Sequence, residues 1–192
     1  TTGGFKFSKS VKIMAGYSFV QALPKIDCSA NFNATGGTTV DSIVFREIAF
    51  TGDIGASYVL NPNESAALTI GHIKFENCQI RKLRGIIRFR GPAPGKILKY
   101  SILNCMVDSI GGYGLFTMDT NGGIAIDDIT LKNSTFSKVD YFMQTYTQSN
   151  SVVIEDCTFS EVPSTGSTLF RWRGAAGKAD ITNGLTIKNC VW

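Results

Sequence analysis

The sequence predicts an all-β chain wound as a single-stranded, right-handed parallel β-helix of about six rungs, with three short strands to a rung. Three observations predict it. A degenerate apolar core recurs along the whole chain. Its internal spacing is two residues, the period of a strand rather than a helix. The residue that joins its two halves is nearly always Asn or Asp.

The first full copy is IKFENCQIRKL at 73–83, with Ile73 and Phe75 alternating, then Asn77, Cys78, Ile80 and Leu83. YSILNCMVDSI at 100–110 repeats it with Ile102, Asn104, Cys105, Val107 and Ile110. ITLKNSTFSKV at 129–139, VVIEDCTFSEV at 152–162 and LTIKNCVW at 185–192 follow, and a weaker copy, IVFREIAFTGDI at 43–54, has Glu47 and Ile48 in the Asn and Cys places. The Asn positions are therefore 47, 77, 104, 133, 156 and 189, separated by 30, 27, 29, 23 and 33 residues. A constant core with a variable period places the insertions in loops.

Physical chemistry accounts for the Asn column. Two short strands on either side of it put Ile, Phe, Cys and Val on one face, so the chain must bend sharply between them. Asn tolerates the left-handed backbone better than other non-glycine residues. Stacked bends would bring the amides into a hydrogen-bonded ladder of Asn77, Asn104, Asn133, Asp156 and Asn189, with Asn133 buried in it. The Cys78, Cys105, Cys157 and Cys190 column, shared with Ser134 and Ile48, is expected to hold buried free thiols. Strands about 4.8 Å apart are slightly too far for the usual disulfide.

A third strand completes each rung: ASYVLN (56–61), GIIRFRG (85–91), GLFTMDT (114–120), DYFMQTY (140–146) and STLFRWRG (167–174). Gly-, Pro- and Asn-rich connections follow these strands and read as loops. At the N-terminal end, VKIMAGYSF (11–19) reads as two strands around a Gly16 bend, and PKIDCSANF (24–32) as a third strand with Ile26 and Cys28 inward. The rungs lie near 11–32, 43–60, 73–90, 100–119, 129–146, 152–173 and 185–192, within one domain spanning 1–192. Open terminal rungs expose core and strand edges, so this domain is expected to be part of a longer coil or to have both ends covered.

Composition narrows function. Charged residues make up 18% and the net charge is only +4, too mild to imply nucleic acid but compatible with an acidic polysaccharide. There is no apolar run long enough for a membrane span. Five cysteines without CxxC pairs and a single histidine, His72, argue against a zinc site. His72 is expected at the surface or in a loop just before a strand. The sequons at Asn33, Asn63 and Asn133 are taken as chance.

The repeated φ-x-φ-x-N-C-x-φ core, over roughly residues 11–192, resembles the pectate-lyase-like superfamily of right-handed parallel β-helices. Phrases such as LKNSTF (131–136) and IEDCTF (154–159) look more closely like the uncharacterised β-helix domains in secreted or surface proteins of glycan-degrading bacteria. The resemblance implies that the GIIRFRG-type strands form the sheet along which substrate lies in the lyases of this fold. It also implies an extracellular or cell-surface location.

Alternation along those strands places Arg88, Arg90, Arg171 and Arg173 outward, together with Thr117 and Asp119. In DYFMQTY the phase is open: either Gln144 and Tyr146, or Met143 and Thr145, face out. Asp27 and Ser29 could extend the strip. Arginines on one face can grip carboxylates or sulfates bidentately, and they can equally pair with acids such as Asp119. The substrate-binding candidates are thus Arg88, Arg90, Asp119, Arg171 and Arg173. Lyase chemistry would need a base and a neutralised uronate carboxylate, for which Tyr146 and Asp119 are the lesser, catalytic candidates. Calcium would need several clustered carboxylates. The strip offers Asp119, with Asp27, Asp140 and Glu64 as further candidates, which supports calcium only weakly, and no other cofactor or metal is expected. Asp127 and Asp128 are adjacent and face opposite ways, which discounts them as a hydrolase pair. Three readings stay open: a non-catalytic module that binds polysaccharide, a polysaccharide lyase or glycoside hydrolase, and a structural spike or adhesin module.

Overall fold

The computed structural model describes residues 4–16, 22–91, 94–119, 123–165, 168–173 and 181–192. Among them there is no helix, every strand pairing is parallel, and the chain stacks as a β-solenoid of about 6 turns. Among the described residues no helix is long and apolar enough to cross a membrane.

Each full turn gives one strand to each of three sheets. The seven-stranded sheet stacks Val11–Met14, Thr38–Arg46, Leu68–Glu76, Gly95–Leu103, Ile124–Lys132, Ser151–Glu155 and Leu185–Lys188. The six-stranded sheet stacks Lys25–Asp27, Ala49–Thr51, Gln79–Leu83, Met106–Ile110, Thr135–Val139 and Thr158–Ser160. The five-stranded sheet stacks Tyr58–Leu60, Gly85–Phe89, Phe116–Met118, Met143–Thr145 and Phe170–Trp172. A short pair, Lys6–Phe7 with Asn33–Ala34, stands outside them.

Register makes the core. Phe45, Phe75, Ile102, Leu131 and Ile154 form one inward column and Phe50, Ile80, Val107, Phe136 and Phe159 another, all buried. Like side chains meet like across one strand step, so rings stack: Phe45 on Phe75 at 5.1 Å and Phe136 on Phe159 at 5.4 Å. Leu185 and Ile187 continue the columns of Val152 and Ile154 but are exposed, and Trp192 stacks on Phe159 at 4.2 Å.

The corner between the first two sheets is left-handed in every turn where the sequence places it. Glu47, Asn77, Asn104, Asn133, Asp156 and Asn189 have φ of 58°, 53°, 54°, 48°, 53° and 52°. Side chains at this corner point away from the core, and Asn133 is exposed, not buried as expected. One link of the column is made by side chains, the Asn189 amide donating to Asp156 Oδ1 at 3.1 Å. A second left-handed corner closes the six-stranded sheet five residues further on, at Lys82, Ser109, Lys138 and Glu161. It explains the spacing of three between Ile80 and Leu83 and its equivalents. The extra residue turns the chain toward the third sheet, so both flanking side chains still point inward.

The cysteine column packs and also bonds. Cys28, Cys78, Cys105 and Cys157 are buried and Cys190 is half-buried, all as free thiols. Cys78, Cys105, Ser134, Cys157 and Cys190 each donate to the carbonyl two residues back, at 2.8–3.3 Å. The next turn's side chain caps the amide below it: Cys105 Sγ accepts from Cys78 N at 3.4 Å, and Ser134 Oγ accepts from Cys105 N at 3.0 Å.

Two expectations are corrected. His72 is not in a loop before a strand. It sits inside Leu68–Glu76, half-buried, with Nε2 2.9 Å from Ser101 Oγ. Four strands of the seven-stranded sheet, Thr38–Arg46, Leu68–Glu76, Gly95–Leu103 and Ile124–Lys132, begin five residues earlier than the apolar alternation, with the phase shifted so that Ile70 and Ile73 both face inward. Lys25–Asp27 is not a third strand: it pairs with Ala49–Thr51 in the six-stranded sheet. Asp27 and Ser29 therefore do not extend the arginine strip, and Asp27 Oδ1 instead accepts from Ser29 N at 3.0 Å.

Candidate functional site

The outer face of the five-stranded sheet gathers most of the singled-out residues. Paired registers place Arg88 beside Thr117, Thr117 beside Gln144, and Gln144 beside Arg171. The same register puts Met143 with the buried Phe116 and the half-buried Phe170, so Gln144 belongs to the outward column and Met143 to the core. Pairing continues past the strand ends, where Asp119 N donates to Phe89 O at 3.0 Å and Arg173 N to Thr145 O at 2.8 Å. Arg90 and Arg173 are exposed, and Asp119, Tyr146 and Arg171 are half-buried. Tyr146 rests partly against the core.

Tyrosines that the sequence reading did not single out cover the start of this face. In register, Tyr58 faces Gly85, and the offset carries through Gly114 to Tyr141. The alternation of Tyr and Gly is steric. A Cβ on Gly85 would sit 2.7 Å from Tyr113 Cβ, and one on Gly114 would sit 2.2 Å from Tyr141 O, where φ is also +55°. The glycines thus leave room for the aromatic residues of the following turns. The signal was present as a repeat: YVLN, GIIR, GLFT, YFMQ and TLFR begin at 58, 85, 114, 141 and 168. Aligned this way, YFMQ falls on GLFT and assigns Gln144 outward.

Arg88 is the hub. Its guanidinium contacts Asp119 Oδ2 from Nε at 2.8 Å and Nη2 at 2.6 Å, and donates to Tyr58 OH at 3.3 Å and Tyr113 OH at 3.1 Å. It also stacks 4.2 Å over the Tyr113 ring, while Arg84 stacks over the same ring at 4.6 Å. Burial works against the Arg88 charge, and the Asp119 carboxylate outweighs it, raising the pKa further. Arg171 stacks 4.1 Å over the Tyr141 ring. Thr117, outward by alternation, is fully buried beneath these groups, bonded to Tyr141 OH at 2.6 Å and Tyr113 O at 2.7 Å. It is not solvent-facing as expected, because the tyrosines cover it.

The electrostatics favour donors over bases. Burial raises the Tyr141 pKa to about 12, opposed by its hydrogen bond to Thr117 and by Arg171. Burial likewise raises Tyr58, against the neighbouring Arg88 and Arg84. Both phenols therefore stay protonated near neutrality.

The remaining acids lie elsewhere or are engaged. Glu64 accepts from Lys6 Nζ at 2.8 Å and Gly36 N at 3.1 Å. Asp140 is buried and accepts from Thr165 Oγ1. Asp127 pairs with Lys96 at 2.9 Å, whereas Asp128 accepts from Asn150 and Ser151 at 2.7 Å each. Among the described residues no three His, Cys, Asp or Glu side chains converge as a metal site would require. The His72–Ser101 contact is not a nucleophile pair: Ser101 Oγ belongs to a buried residue, and the charges facing His72 are Lys99 and Lys74.

A family model described as Domain of unknown function (DUF4957) matches residues 1–138. No curated protein matches the chain, and no solved structure does.

Proposed function

Since the chain belongs to the family Domain of unknown function (DUF4957), whose description names no activity, we propose a function from the outer face itself: this is a module that binds acidic polysaccharide on its five-stranded sheet, secreted or displayed at a cell surface. The proposal includes a right-handed, pectate-lyase-like coil, on the general rule that parallel crossovers are right-handed. The observation that carries it is the outer edge of this sheet, where the exposed Arg90 and Arg173 flank Arg171, stacked on Tyr141, and Arg88, held by Asp119 and stacked on Tyr113. Guanidinium groups recognise carboxylate and sulfate in a planar, bidentate manner. Phenol rings and hydroxyls supply the flat contact and donors that sugar rings and hydroxyls need. A β-elimination reading would require a base on this face: of its candidates, Tyr146 rests partly against the core and Asp119 is held by Arg88, while the neighbouring Tyr141, held at about 12, makes a poor base near neutral pH. Binding without turnover is therefore the better-supported reading.

Titration calorimetry against a panel of uronate and sulfated polymers, with a neutral glucan as control, tests the proposal. Binding to at least one acidic polymer, weakening as salt screens the charges, is the expected result. Heat from no acidic polymer, or equal heat from the neutral one, would sink it.

A further inference from the structure

Building on that binding reading, we infer that the face selects acidic polysaccharides whose anionic groups are separated by uncharged sugars, over polymers charged at every residue. Cations stand at the two ends of the face. The column from Arg88 to Arg171 spans three strand steps, about 14 Å at the usual spacing of neighbouring strands. Arg90 is exposed at the first end and Arg173 at the other.

The middle of the face is different in kind. Thr117 and Gln144, in the column between the arginines, are neutral and buried, and the half-buried Tyr146 is the phenol two residues beyond Gln144 on the same strand face. Among the described residues Asp119 is the carboxylate in the outward register of the face, its side chain 25% exposed. Although it neutralises Arg88, its own charge still meets whatever lies across the sheet.

A polysaccharide running along the stack would meet cations at both ends, and between them a stretch whose half-buried groups are Tyr146 and Asp119. A carboxylate on every sugar would force one against Asp119, and like charges brought together at an interface are strongly disfavoured. Spaced anions avoid that contact and keep both ends engaged. Discrimination then arises from the repulsive carboxylate as much as from the attractive arginines.

The experiment compares hyaluronan, with a carboxylate on alternate sugars, and polygalacturonate, with one on every sugar, by calorimetry at matched length and ionic strength. Hyaluronan should bind at least about tenfold more tightly. Polygalacturonate binding as tightly or more tightly overturns this inference and leaves the binding reading standing. Silence from both, and from the wider acidic panel, removes the binding reading itself. In Asp119→Asn, shown folded by its thermal unfolding transition, the preference should narrow toward equality. An unchanged ratio would overturn the role given to Asp119.

Discussion

At the residue scale, the Asn corner and the thiol column make separable demands. A left-handed backbone costs an ordinary L residue about 1–2 kcal/mol, and glycine almost none. Asn104→Ala should therefore lower unfolding stability by about 1 kcal/mol, while Asn104→Gly should lose less, by denaturant titration. Equal losses would mean that the side chain, rather than φ, carries the position. Cys105 donates to Leu103 O and accepts from Cys78 N. Cys105→Ser keeps both roles, as Ser134 does one turn later. Cys105→Val fills the space but strands the buried Cys78 amide, at a cost of about 1–3 kcal/mol, while Leu103 O keeps its bond from Asn77 N. If Val were tolerated better than Ser, the column would be packing alone.

At the element scale, the stacked phenylalanines of the six-stranded sheet set stability. Phe136 is buried between Val107 and Phe159 in register and packs on Phe142. Phe136→Ala should cost about 3–5 kcal/mol, and a loss below about 1 kcal/mol would show that the stack collapses around the gap. The strands of two sheets were legible because alternation and the Asn corner coincide in the sequence. The second corner was not, since Lys82, Ser109, Lys138 and Glu161 share a conformation but no chemistry that marks it. The outward arginines were legible from alternation. Their surroundings were not, because Tyr58, Tyr113 and Tyr141 reach the face from preceding connections and neighbouring turns. Only the Tyr/Gly repeat that makes room for them could have signalled it.

At the scale of the whole molecule, stability should depend on pH at both extremes. Burial raises Cys28 to about 12, Cys157 to about 11 and Tyr141 to about 12. The unfolded chain releases these protons at the ordinary values, near 9 for a thiol and 10 for a phenol, while the folded chain retains them. Stability is thus fully present below about pH 9 and drains away between 9 and 12. His72 acts on the acid side, its pKa lowered by burial and then by Lys99 and Lys74. The unfolded chain binds that proton first, so stability falls as pH drops below the ordinary value of 6.5. A thermal midpoint flat from pH 8 to about 11 would contradict the alkaline half.

The claim that one face of this solenoid holds the ligand is tested most directly by removing charge from two faces separately. Arg171→Ala with Arg173→Ala empties one end of the five-stranded sheet. Arg81→Ala with Lys138→Ala removes the same charge from the third and fifth strands of the six-stranded sheet, counted from Lys25–Asp27. In calorimetry with the tightest acidic polymer, the first pair should weaken binding at least about tenfold and the second should leave it nearly unchanged. Equal losses from both pairs, or none from the first, would contradict the assignment of the site to the five-stranded sheet.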